Sequence, residues 1–323
     1  GESFNRHMSN LYDGRWDTNP LLIERKKQGR LFLFDDVTAT SNGTSVVFQY
    51  LLSMNSRRDK NAWYEGPMLP LRRCGWNVIF YGNQFVVNNQ LDEYDAAMGF
   101  LNVPSVAKAL FDNRNNRTFS YDLGLVADYA THRKQLETKY RNFVIFHLYG
   151  QHMPAKERYP KEFAKFTPNN INRPELNQTQ CNDVAHYLNA TLYNDLVVDS
   201  IIRMFENRNA VVMYLSDHGE EVHNFRNQYG RTDINKDCRE AYAPQFDIPF
   251  MVYLTPSYAK EHPELATRLE AARHRRFSND DTPQVICDIL GVQSAYVRRQ
   301  HSFINNSYIA PRHRLITKDK YYD

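Results

Sequence analysis

The sequence predicts an α/β fold, a mostly parallel central sheet flanked by helices on both faces. Three observations carry this expectation. Five separate apolar runs read as strands buried on both sides. One long stretch repeats its apolar residues at helical spacing. Strand and helix signals alternate from one end of the chain to the other.

The elements follow in order. Residues 30–35, Arg-Leu-Phe-Leu-Phe-Asp, make the first strand, and a helix opens at Gly43-Thr44 and runs through Val46, Val47, Tyr50 and Leu51. Residues 74–81 make a second strand, which ends at Gly82-Asn83-Gln84. Residues 143–149, Phe-Val-Ile-Phe-His-Leu-Tyr, make a third, ending at Gly150-Gln151-His152. From Val184 to Phe205, apolar side chains at Tyr187, Leu188, Leu192, Leu196, Ile201 and Phe205 line one face of a long helix. The run Val211-Val-Met-Tyr-Leu215 is a strand that stops at Ser216 and delivers Asp217-His218-Gly219-Glu220 into a turn. A polar loop through Cys238, a strand over residues 248–254 and a short helix over 282–290 complete the pattern. No repeat, low-complexity tract or Gly/Ser linker divides the chain, so residues 1–323 are expected to form one domain.

Composition removes several classes of function. A net charge of +3 is too small to argue for a nucleic-acid partner. The basic clusters at residues 271–276 and 296–301 read as solvated surface. No apolar run reaches the roughly 18–20 residues that cross a bilayer. Cys74, Cys181, Cys238 and Cys287 form no Cys-x-x-Cys pair, which argues against a zinc ribbon or a thioredoxin-type site. The opening residues Gly1-Glu2-Ser3 look like a loop that follows a strand, so the sequence is expected to be a piece of a longer protein. Glu2, one residue from the start, is expected to fray.

The chemistry gathers at strand ends. In open α/β sheets, ligands bind outside the carboxyl ends of the strands. There the sequence presents Glu2, Asn42-Gly43-Thr44, His152 and Asp217-His218. Glu2, Asp217, His218 and the Thr44 hydroxyl would form a mixed oxygen and nitrogen set, suited to zinc and tolerable for manganese. Thr44 stands at a helix start, where the helix dipole favours an alkoxide; a plain N-cap is the local alternative. His147, inside an apolar strand, reads as a satisfied core histidine. His152, in the turn, is placed to bind phosphate or act as an acid.

Several of these motifs together resemble the catalytic domain of the phosphoethanolamine transferases that decorate lipid A and core sugars of Gram-negative envelopes, within the alkaline-phosphatase/sulfatase superfamily. Gly1-Glu2-Ser3, Ser41-Asn42-Gly43-Thr44-Ser45, the His152 turn with Phe163-Ala-Lys-Phe-Thr-Pro168, Ser216-Asp217-His218-Gly219-Glu220 and Ala241-Tyr-Ala-Pro-Gln245 carry the likeness, in order along the chain. The resemblance implies a threonine nucleophile at Thr44, zinc held by Glu2, Thr44, Asp217 and His218, and phosphatidylethanolamine as donor. Its implied acceptor is a lipopolysaccharide or another envelope glycan. It also implies a monomeric domain in the periplasm, tied to the bacterial inner membrane by an N-terminal segment. His152 and His223 would serve as acid/base or phosphoryl-binding groups, and Asn83 and Arg231 as substrate contacts.

Departures from the family pattern are visible. A family histidine expected in a Leu-His-Gly segment after Asp-His-Gly-Glu is missing, leaving His223 or Arg231 in its place. Cys181 aligns with one cysteine of a family pair whose partner position falls in Thr167-Pro-Asn-Asn170, so that disulfide does not carry over. Three rivals stay open. A phosphoglycerol transferase would use the same nucleophile with manganese. A sulfatase would need Cys/Ser-x-Pro-x-Arg where Thr44-Ser-Val-Val-Phe48 stands. A non-catalytic glycolipid-binding relative would keep only the fold.

Overall fold

The computed structural model describes every residue except 60, 85–95, 226, 232–238 and 318. Cys238 and its loop lie outside the described residues. The strands are β1 (Leu31–Phe34), β2 (Val37–Thr38), β3 (Asn77–Gly82), β4 (Asn113–Arg114), β5 (Asn142–His147), β6 (Val211–Leu215), β7 (Glu221–Val222), β8 (Tyr229–Gly230), β9 (Phe250–Leu254) and β10 (Phe277–Ser278). The helices are α1 (Pro20–Lys27), α2 (Thr44–Leu51), α3 (Pro104–Leu110), α4 (Asp122–Leu136), α5 (Gln178–Phe205), α6 (Arg239–Phe246), α7 (Pro256–Glu261), α8 (Pro263–Ala271) and α9 (Thr282–Ile289).

Strands and helices alternate as the apolar pattern predicts. One ladder, β4-β3-β5, is parallel throughout. A second, β1-β9-β6, is antiparallel, the minority sense for which a mostly parallel sheet leaves room. The reason lies in the connection. β6 ends at Leu215 and β9 begins at Phe250 on the same edge of the sheet. At both ends the connecting chain is held at that edge, by Gly219 N–H to Gln245 C=O (2.8 Å) and Ser216 N–H to Pro249 C=O (3.3 Å). A chain that does not cross back over the sheet must return antiparallel. Since β1 also runs against β9, β1 and β6 point the same way.

α5 is the spine of one face. It begins at Gln178, six residues before the first apolar position, because Asn177 and Gln180 form a reciprocal capping box. Four of its side chains anchor other parts of the molecule. Asp183 meets His223 at 3.0 Å. The Tyr187 hydroxyl donates to Ser3 C=O (2.5 Å) and accepts from Asn5 N–H (2.7 Å). Asp195 accepts from Leu21 and Leu22 N–H at 2.8 and 3.1 Å, capping α1 in place of a local side chain. Such a cap contributes about 1 kcal/mol. Asp199 pairs with Arg25 at 2.8 Å.

α4 carries no recognisable run of apolar residues, yet Asp122, Leu125, Val126 and Tyr129 are buried at helical spacing. Cys74, Cys181 and Cys287 are free thiols. Among the described residues no helix is long and apolar enough to cross a membrane.

Candidate metal centre and nucleophile

The centre forms where the ends of β5 and β6 meet the start of the chain and the first turn of α2. Glu2, Asp217 and His218 are fully buried and Thr44 nearly so. The expectation that Glu2 frays is overturned. Gly1 C=O accepts from Asp217 N–H (3.2 Å), Glu2 C=O accepts from Gln151 N–H (3.1 Å), and Phe4 N–H donates to Ser216 Oγ (3.0 Å). With the Tyr187 hydroxyl on the next turn, the segment is tied to three elements. Gly150 has φ +56° and lies so close that a Cβ there would sit 2.7 Å from Glu2 C=O. Only glycine suits both the conformation and the approach.

Each polar group is aimed inward. His218 Nδ1 donates to its neighbour, Gly219 C=O (2.6 Å), which turns Nε2 into the centre. Asp217 Oδ1 is occupied by the N–H groups of His218 (2.7 Å) and Ser3 (3.0 Å), whereas Oδ2 is buried with no hydrogen-bond partner among the described residues. Thr44, first residue of α2, places Oγ1 3.1 and 3.2 Å from the two Glu2 oxygens and 3.3 Å from His218 Nε2. His218 Nε2 is also 3.3 Å from Glu2 Oε1 and from Asp217 Oδ2.

This donor set fits a small divalent cation. Glu2, Asp217 and His218 each offer a ligand atom, all within 4.8 Å of one another. A tetrahedron with arms of about 2.0 Å has edges of about 3.3 Å, close to the separations of Thr44, Glu2 and His218. The unpartnered Asp217 Oδ2 is a second sign, since a buried oxygen left without a donor costs about 1–3 kcal/mol unless something else engages it. Electrostatics agree. Burial drives Glu2 upward, but hydrogen bonds from His147 and His218 outweigh it and hold its carboxyl well below the usual range. Asp217 is pushed up by burial and by the Glu2 charge. Burial works against a charged His218, yet Asp217 and Glu2 raise it to about 9. Protons are thus held where a cation would bind.

The other expected residues divide. Arg231 lies at the centre, its Nη1 3.4 Å from Asn42 C=O and 3.5 Å from His218 Nε2. His152 stays with its own loop, Nδ1 bonded to Met153 C=O (2.7 Å) and its ring against Tyr149. His223, at φ +54°, points Nε2 at Asp183. Asn83 is corrected from substrate contact to scaffold. It is fully buried, its Nδ2 donates to Asp122 Oδ1 (2.8 Å) and its Oδ1 accepts from Phe119 N–H (2.7 Å). Asp122 in turn accepts from Tyr149 and Gly150 N–H at 2.8 and 2.9 Å, so Asn83 holds the turn that holds Glu2.

Three residues escaped the sequence reading. His147 is no core histidine: its Nε2 is 3.6 Å from Glu2 Oε2 while its ring packs on Phe48. As the last residue of β5 it stands at the carboxyl edge, a signal the sequence held once the strand end was known. Glu220 is fully buried beside the centre, and burial pushes its carboxyl up to about 7. Asn279 bridges Thr40 N–H and Asp217 C=O, both at 2.9 Å, and nothing local in the sequence announces it.

The sulfatase family model matches residues 1–292. Phosphoethanolamine transferase EptC of Escherichia coli K12 is 28% identical over 276 residues, covering 81% of this chain and 45% of that protein. Phosphoethanolamine transferase EptA of Helicobacter pylori is 27% identical, covering 83% and 49%. The chain thus spans about half the length of these relatives. Its fold superposes on the C-terminal periplasmic domain of E. coli EptC, solved in complex with Zn, with a TM-score of 0.83 at 23% identity, over 99% of this chain and 89% of that one.

Proposed function

The chain belongs to the sulfatase family, and we propose that it is the catalytic unit of a metal-dependent phosphoethanolamine transferase. One observation carries the reading. Thr44 Oγ1 sits at a helix N-terminus, within 3.3 Å of both Glu2 and His218, among buried side chains.

Glu2, Thr44, Asp217 and His218 would hold zinc, as the mixed oxygen and nitrogen donors favour. Zinc, when bound, would supply a Lewis acid that lowers the pKa of the Thr44 hydroxyl. Thr44 Oγ1 attacks the phosphorus of phosphatidylethanolamine. The new Oγ1–P bond forms as the P–O bond to diacylglycerol breaks, and the departing oxygen takes up a proton. An oxygen of an envelope glycolipid then attacks the same phosphorus, releases Thr44 and carries the phosphoethanolamine away. The α2 dipole favours the alkoxide form of Thr44. Arg231 would bind a phosphoryl oxygen with donors already at the centre. His152 would meet the phosphoryl group from the turn after β5. His223, held by Asp183, would act at the rim as a proton carrier. Residues 1–323 act here as one monomeric domain. Its place is the periplasm, tied to the inner membrane through a part of the protein outside this sequence, as the periplasmic EptC domain supports.

Mass spectrometry of the Thr44 peptide after incubation with phosphatidylethanolamine tests the proposal. A phosphoethanolamine adduct that disappears in Thr44→Ala is expected. A glycerophosphate adduct would assign a phosphoglycerol transferase instead, and an unmodified Thr44 in the zinc-loaded protein would overturn both.

A further inference from the structure

The loop that begins at His152 carries a cation that the chemistry above does not use. Arg158 has a side chain only 9% exposed. Its guanidinium lies over the Tyr149 ring, 3.9 Å from the centroid, and the His152 ring packs against the same tyrosine at 5.5 Å. A flat guanidinium on an aromatic face is held in place before any ligand arrives.

Its partners inside the protein are poor. Among the described ion pairs, three other arginine side chains are at most 12% exposed, and each meets a carboxylate that is at most 12% exposed as well: Arg6 with Asp247, Arg25 with Asp199 and Arg314 with Asp323. Arg158 meets Glu157, its neighbour in sequence, at 3.0 Å, and that carboxylate is 56% exposed. Such a pair contributes little and is screened by salt. Nε reaches Pro154 C=O at 3.5 Å, and among the described residues Nη1 makes no hydrogen bond. A charge so far out of water is costly until an anion meets it.

Arg158 stands at the mouth of the centre. The turn beneath it is the one that Asp122 holds through Tyr149 and Gly150 N–H, and that bonds Glu2 C=O through Gln151 N–H. Across the mouth runs β8. Burial raises the Tyr229 hydroxyl there, and the Arg158 charge is among the effects that oppose it. Arg231, about 7 Å further along the extended chain, reaches His218. Two guanidiniums therefore flank one site, and the two substrates differ in what they bring to them. Phosphatidylethanolamine carries one anion, the phosphodiester that Thr44 attacks and Arg231 meets. Its diacylglycerol is neutral and its amine is a cation, which Arg158 repels. The donor leaves Arg158 unpaired.

We propose that Arg158 binds the acceptor: its Nη1 edge takes a phosphate monoester or carboxylate carried by the sugar that receives phosphoethanolamine, in a forked pair of hydrogen bonds. Arg158 makes and breaks no bond. It holds the sugar while a nearby hydroxyl oxygen forms its bond to phosphorus, the bond to Thr44 Oγ1 breaks, and the hydroxyl proton passes to Oγ1. The inference rests on the reading of Thr44 as the carrier, and the experiment separates the two.

In the zinc-loaded 323-residue chain, Thr44 is loaded from phosphatidylethanolamine in micelles. Loss of the adduct is then timed by mass spectrometry with glucosamine 1-phosphate, glucuronate or glucose. Discharge should be at least about tenfold faster with one of the anionic sugars than with glucose, and the faster one names the anion. Arg158→Gln should erase that preference by raising the half-saturating sugar concentration at least about tenfold, while Thr44 loading and discharge to glucose change less than about threefold. Equal discharge to all three sugars, or a preference that survives Arg158→Gln, would overturn the proposal. So would an equal loss of loading and discharge, which assigns Arg158 to the scaffold. If Thr44 does not load, the functional reading fails and the anion site is read by itself. In the metal-free chain with isotope-labelled arginine, glucosamine 1-phosphate or glucuronate should then shift the Arg158 Nε–H signal in a saturable way, and glucose should not. No shift with either anion overturns the proposal whatever Thr44 does.

Discussion

Two groups of polar side chains lie at the carboxyl ends of these strands, and they differ in whether their neighbours use them up. Asn83 spends its amide on Asp122 and Phe119, and Asn279 spends its own on Thr40 N–H and Asp217 C=O. Around Thr44 the reverse holds: Asp217 Oδ2 has no hydrogen bond among the described residues, His218 turns Nε2 inward, and Glu2 meets Thr44 Oγ1 with both oxygens. All are polar, and nearly all are buried. What separates scaffold from chemistry is the unspent donor or acceptor, and the cost of leaving one buried is what a bound cation relieves.

The largest effect should fall on Thr44, the proposed nucleophile. Thr44→Ala is expected to cut phosphoethanolamine transfer at least about 10⁴-fold, as loss of a nucleophile does elsewhere, while the melting temperature stays within a few degrees. Transfer within tenfold of the parent would break the division at its centre. Next comes a paired substitution. Asp217→Asn should weaken zinc binding by more than about 100-fold, read by competition with a chelating dye, with little loss of stability. Asn83→Ala should do the opposite, keeping zinc affinity within about tenfold but costing about 1–3 kcal/mol in urea unfolding, because Asp122 loses its partner in a buried site.

A third measurement uses protons. With its pKa raised to about 9, His218 carries a proton at neutral pH in the metal-free protein, and a ligating imidazole must give it up. Zinc affinity should therefore climb with pH up to about 9, about tenfold per unit, and calorimetry in two buffers should register the released proton. A flat profile between pH 6.5 and 9 would remove His218 from the ligand set. The smallest effect belongs to a spent group far from the centre. His7 has both ring nitrogens held, by Asp13 (2.6 Å) and Asp247 (2.9 Å), which outweigh burial and raise it to about 9. Its folded pKa lies above the unfolded value of 6.5, so its stabilisation is complete below pH 6.5 and fades as pH rises through 9. His7→Gln should erase about 1–2 kcal/mol of that slope in unfolding curves.

Much of this was legible in the sequence, and for a physical reason. A buried strand must be apolar, so the run before Asp217 announces itself, and the sheet then collects its ends whatever their separation in sequence. Glu2, Thr44, Asp217 and His218 followed from that rule, and the family likeness then supported all four. Pairing direction was not legible: Phe250–Leu254 is apolar on both faces and reads the same in either sense. His147 was misread because the strand was run on to Tyr149, which hid that the histidine ends it. Asn83 was misread because its partner is Asp122, 39 positions away, and no local pattern encodes that contact.

The anchors of α5 set a rule for how the chain can change length. Asp183 and Tyr187 serve the active end, and Asp195 and Asp199 serve α1. A single residue inserted between Tyr187 and Asp195 would turn everything beyond it by about 100° and advance it about 1.5 Å, lifting both aspartates off α1 at once. An insertion of seven would bring the faces back to within about 20° of phase but carry both aspartates about 10 Å along the axis, off α1 again. The helix thus has a fixed length between these anchors, and relatives that differ in length should place their insertions in the loops around it.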